Sequence, residues 1–151
     1  MIDHSAGVVQ IGGHPVERST LKGIQTASAE SGVSFHYLLA KAAQESGFNS
    51  NAQAKTSSAS GLFQFTRGTW LDMMRRQGDE LGFGDLAAQV KESATGRLTV
   101  LNEDAEIQML AMRHNADISS KFAALFAQEN SKTLETSLGR EASLAELYLA
   151  H

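Results

Sequence analysis

Ala42-Ala-Gln-Glu45-Ser-Gly-Phe-Asn49, followed after a polar run by Gly61-Leu-Phe-Gln-Phe65, decides the reading of this chain. Backwards from Glu45 the apolar residues are Phe35, Leu38, Leu39, Ala42 and Ala43, one face of a 3.6-residue helix. Leu38 precedes Glu45 by seven positions, so the two point in nearly the same direction. A carboxyl at the edge of such a stripe is partly desolvated, which disfavours its charged form and suits a general acid working near neutral pH. The competing reading is a weak ion pair with Lys41, four residues earlier, on a solvated face.

Working outward, Ser34 caps the predicted helix Phe35–Ser46 and Gly47 stops it. Before it, Ser19 and Thr20 are expected to cap a helix ending at Ser31, with Gly32 as its stop. Residues 1–18 contain Gly7, Gly12, Gly13 and Pro15 without a sustained period and read as an extended arm. After it, residues 51–60 are loop, and Gly61–Phe65 is expected to be short extended structure. Thr66 caps a helix bearing Trp70, Leu71, Met73 and Met74 that closes at Gly78. A turn over residues 81–86 and a short helix over 85–92 follow. The longest periodic stretch, 103–130, carries Ile107, Leu110, His114, Ile118, Phe122, Leu125 and Phe126 as one expected helix. Ser131 and Ser143 mark two more short helices, the last bearing Leu144, Leu147 and Tyr148. The fold class is therefore mainly α with at most a small β-hairpin, residues 19–151 forming one domain. The stop inside the last helix pattern points to truncation at that end.

Composition sets bounds on function. At 151 residues, 42% hydrophobic and 20% charged, the chain can bury one ordinary soluble core. A net charge of −4 without a Lys/Arg run argues against nucleic acid. With no Cys, disulfide and thiolate chemistry are excluded. No apolar run approaches transmembrane length, and the first residues lack the basic and apolar regions of an export signal. The five His show no metal-ligand spacing; His36 faces away from Glu45, and His114 reads as a satisfied core or boundary histidine. No cofactor or metal is expected.

The two-part motif resembles the catalytic core of the soluble lytic transglycosylases, relatives of goose-type lysozyme. Their pattern, Glu-Ser-x-Phe-Asn and then Gly-Leu-Met-Gln before a Thr-initiated helix, is matched by Glu45, Ser46, Phe48, Asn49, Gly61, Leu62, Gln64 and Thr69. Ser50 replaces a common Pro, Phe63 replaces the Met, and Leu149 stands where Asn follows the family's Tyr, here Tyr148. The resemblance implies a lysozyme-like helical domain that cleaves the β-1,4 bond between N-acetylmuramic acid and N-acetylglucosamine in peptidoglycan. It implies Glu45 as the single catalytic acid and base and 1,6-anhydromuramyl products. Asp79, Glu80, Glu103, Asp104 and Glu106 read as ordinary solvated charge rather than as a second catalytic carboxylate. Ser46 and Gln64 are expected to donate hydrogen bonds to the glycan, Phe63 and Phe65 to offer apolar surface to sugar faces, and Tyr148 to contact Glu45 or substrate. The implied setting is the periplasm or cell envelope, with peptidoglycan strands as partner and a flagellar or secretion assembly as the machinery served. Two other readings stay open: a hydrolytic muramidase or chitinase, and a glycan-binding scaffold module with little turnover.

Overall fold

A computed structural model describes residues 7–138 together with Ser143, Glu146 and Leu147. Among these residues are six α-helices and two antiparallel hairpins, a mainly α, lysozyme-like domain. In chain order they are β1 (Val8–Ile11), β2 (His14–Glu17), α1 (Arg18–Ser31), α2 (Phe35–Ser46), α3 (Arg67–Gln77), α4 (Gly84–Ala87), β3 (Val90–Glu92), β4 (Leu98–Val100), α5 (Glu103–Ala111) and α6 (Ala116–Leu138).

The acid helix forms where the pattern puts it. Ser34 Oγ accepts the Tyr37 amide, and left-handed Gly47 ends the helix, its N–H returning to Ala43 O at 3.0 Å. Phe48 also adopts a left-handed backbone, φ 66°. That is costly for a bulky residue, and burying its ring beside His14, centroids 5.9 Å apart, offsets it. The buried face of α2 runs through Tyr37, Leu38, Lys41 and Ala42, rotated slightly from the apolar stripe read from sequence.

The described part of the segment 1–18, expected as an extended arm, is a hairpin. From Val8 it forms β1–β2 across Gly12 and Gly13, both at positive φ, with Val9 paired to Val16 and Val16 buried. Strand β2 runs directly into α1, whose N-cap is Glu17 rather than Ser19 or Thr20. A second hairpin was also not anticipated. The expected helix over 85–92 stops at Ala87, and Val90–Glu92 pairs with Leu98–Val100 around Gly96. Valine and threonine fit a pleated strand better than a helix surface, which decides the outcome.

The long helix expected over 103–130 is broken. Residues 112–114 form one 3-10 turn, and Asn115 restarts the chain as the cap of α6, its Oδ1 accepting the Ile118 amide at 3.0 Å. Helix α6 then continues through Ser131, which starts no helix of its own. Ser143 does cap: Glu146 N donates to its Oγ and Ser143 N to Glu146 Oε1, the reciprocal pairing of a capping box. Tyr148, Leu149 and most of the last segment lie outside the described residues.

The core gathers around Trp70, whose indole N–H donates to Met109 O at 2.8 Å and whose ring meets Phe122 edge-on at 4.5 Å. Phe65 packs against Trp70 at 5.4 Å and against Phe126 at 5.7 Å. This aromatic cluster ties α3 and α6 to the turn that faces the end of α2.

Candidate active site

Glu45 sits one residue before the end of α2, where the helix presents its last turn to the segment 60–66. Its side chain is 29% exposed and lines a small open cleft of about 130 Å³ with Gln64, Phe65, Thr66, Thr69 and Phe126. Oε1 accepts from Lys41 Nζ at 3.4 Å. Lys41 does not match the solvated partner of the competing reading, because its side chain is only 3% exposed. Lys41 thus reaches Oε1 from the buried face of the helix, while Oε2 has no protein partner among the described residues.

The opposite wall is a turn rather than extended structure. Gly61 (φ 89°) and Gln64 (φ 53°) are both left-handed, and Gln64 N donates to Gly61 O at 3.2 Å. Gln64 Nε2 donates to Ala52 O at 3.0 Å and to Gly61 O at 2.9 Å. Both amide protons are thus committed to the loop, which corrects the expected donor role. The Gln64 side-chain carbonyl oxygen, an acceptor, has no hydrogen-bond partner among the described residues.

Ser46 is corrected in the same way. Its hydroxyl donates to Leu62 O at 2.7 Å and Ala42 O at 3.1 Å, so it joins the end of the acid helix to the facing turn. Phe63 is wholly buried at 0% exposure and offers no face to a sugar; it anchors the turn in the core. Phe65 is buried too, yet its edge reaches the cleft lining. Tyr148 lies outside the described residues.

Three cleft residues carry no site role in the sequence reading, although Thr69 matches the family pattern and Thr66 reads as a helix cap. Thr66 and Thr69 stand at the first turn of α3, where Thr66 Oγ1 accepts the Thr69 amide at 3.3 Å and donates to Thr69 Oγ1 at 3.2 Å. That leaves the Thr69 hydroxyl proton for a ligand. Phe126 comes from the middle of α6. Its place in the periodic run marked it as core, and nothing local distinguished a core ring from one at the cleft floor.

Among the described residues no second carboxylate lines this cleft. Glu106 is bound by Arg67, whose Nε donates to Oε1 at 2.8 Å and whose Nη1 holds Leu98 O at 3.2 Å. Among the described residues no cluster of His, Asp and Glu could hold a metal ion.

Residues 22–106, more than half of the chain, match the family model of the transglycosylase SLT domain. The chain belongs to that family. An SLT domain carries lytic transglycosylase chemistry on peptidoglycan in general terms, and the matched span includes Glu45 and the whole facing turn. No helix among the described residues is long and apolar enough to cross a membrane.

Proposed function

We propose that this SLT domain cleaves the β-1,4 bond between N-acetylmuramic acid and N-acetylglucosamine with Glu45 as its single acid and base. The observation that carries the reading is the cleft itself: one carboxylate, partly sheltered, with one oxygen unpaired by protein and no second carboxylate beside it among the described residues. Glycosidases that use water or an enzyme nucleophile ordinarily need a pair of carboxylates across the scissile bond.

In the first step protonated Glu45 gives its proton to the glycosidic oxygen, the bond to the muramic acid anomeric carbon breaks, and the N-acetylglucosamine end leaves as an alcohol. The substrate's own acetamido group supports the positive charge at the anomeric carbon. In the second step the Glu45 carboxylate takes the proton of the muramic acid C6 hydroxyl while that oxygen attacks the anomeric carbon. The ring closes as a 1,6-anhydro sugar and Glu45 regains its proton. Lys41 holds Oε1, leaving Oε2 for proton transfer. The Gln64 carbonyl and the Thr69 hydroxyl orient sugar hydroxyl and acetamido groups, and the Phe65 edge with Phe126 supplies the apolar floor.

The same reading places the protein in the cell envelope, acting on peptidoglycan strands during wall remodelling for an envelope-spanning assembly such as a flagellum or secretion system. Replacing Glu45 by Gln tests it. Cleavage of isolated glycan strands is expected to fall at least a thousandfold while strand binding and melting temperature stay at wild-type values. Retained cleavage would remove Glu45 from its role.

A further inference from the structure

The break between α5 and α6 carries two side chains that the chemistry above does not use, and both reach the turn facing Glu45. Arg113 is 9% exposed, burial pushes its pKa down, and no carboxylate pairs with it among the described residues. Its charge is instead met by carbonyl oxygens: Nη1 donates to Ser58 O at 2.6 Å and Phe65 O at 3.0 Å, and Nε to Leu110 O at 3.0 Å. The neighbouring His114 meets Ser60 Oγ with Nε2 at 2.6 Å. The Ser60 hydroxyl donates on to Ala52 O, the same carbonyl that receives Gln64 Nε2. The Arg113 carbonyl lies where a side chain on Gly61 would begin. Consecutive residues thus grip both ends of the turn. Gln64 hangs one acceptor away from His114, and Phe65 is held by Arg113 through its own carbonyl.

Such a grip explains why the helix breaks here and how Gln64 is kept in a left-handed backbone that its residue type disfavours. From this geometry we infer that Arg113 and His114 are positioning residues for glycan cleavage: they hold the wall formed by Gln64 and Phe65 at its working distance from Glu45. The inference rests on the function proposed above.

The test uses steady-state cleavage of glycan strands and amide exchange on the same proteins. His114→Leu removes the bond to Ser60, His114→Gln keeps an N–H donor, and Ser60→Ala cuts the same link from its other end. The expected result for His114→Leu and Ser60→Ala is a fall in kcat of tenfold or more with KM within threefold. Exchange at Gly61 and Gln64 should rise at least tenfold while α1 and α2 keep their protection. His114→Gln should restore kcat to within threefold of wild type. Normal kcat in both disrupting variants overturns the inference. So does a loss that His114→Gln does not rescue, or faster exchange spread evenly over all helices. A Glu45→Gln control separates the two claims: if it still cleaves, the functional reading fails. If it is dead while the His114 and Ser60 variants work normally, only the positioning role fails.

Discussion

Gly61→Ala puts the geometry of the facing turn to a quantitative test. At φ 89° an L residue costs about 1–2 kcal/mol more than glycine. A Cβ built at Gly61 would also lie 2.1 Å from Arg113 O and 2.9 Å from its carbonyl carbon. Ordinary contact begins near 3.4 Å, so the turn and the α5–α6 break must separate by about 1.3 Å. Forced separation of packed backbone adds about 1–3 kcal/mol, for a total of about 3 kcal/mol. A domain of this size should lose roughly 6–12 °C in melting temperature. A 1 Å displacement of a cleft wall costs up to about a hundredfold in rate, so kcat/KM should fall by about that much. Two glycines serve as references in the same urea titrations. Gly96→Ala, also at positive φ but with only a 3.8 Å neighbour, should cost about 1 kcal/mol. Gly68→Ala, inside α3 with open space around it, should gain on the order of 0.5 kcal/mol. If Gly61→Ala were no more destabilising than Gly96→Ala, the close seating of the turn on Arg113 would be refuted.

Other outcomes follow from particular contacts. Burial raises the Glu129 pKa, but hydrogen bonds from Arg76 and Gln77 and the Arg76 charge outweigh it and hold the carboxyl below its ordinary 4.5. Its contribution is therefore fully present above pH 4.5 and lost as pH falls through the lower folded value. Denaturant midpoints should show Glu129→Gln weaker than wild type at neutral pH, with the gap closing in acid; a gap constant with pH would contradict the ion pair between α3 and α6. Ser46→Ala removes the donor to Leu62 O and should cost about 1–2 kcal/mol in urea unfolding, with a measurable fall in kcat/KM. An unchanged midpoint would mean that the helix end and the turn are joined by other contacts.

How far the sequence reaches is visible element by element. Helix α2 was legible to the residue because its signals are local: a serine cap, an apolar period, and a glycine stop. The same holds for Thr66 and α3. The β1–β2 hairpin was missed although Gly12-Gly13 is a hairpin turn signal, because its strands are only four residues long and show little alternation. The break after α5 ran against an uninterrupted apolar period. What decided it was tertiary: Arg113 and His114 find carbonyl and hydroxyl partners more than forty residues away, and Asn115 can restart the helix. At the site, the position of Glu45 in the last turn of α2 could be read from its neighbours in sequence. The direction of the Gln64 amide and the burial of Phe63 and Lys41 could not, since each depends on what the turn at 60–66 packs against.

The measurement closest to the centre of the account is mass spectrometry of peptidoglycan digested by the wild-type protein and by Glu45→Gln. The account predicts 1,6-anhydromuramyl ends from the wild type and none from the variant. Reducing-end products carrying an added water, or identical digestion by both proteins, would contradict a lone Glu45 that passes its proton from the C6 hydroxyl to the leaving sugar.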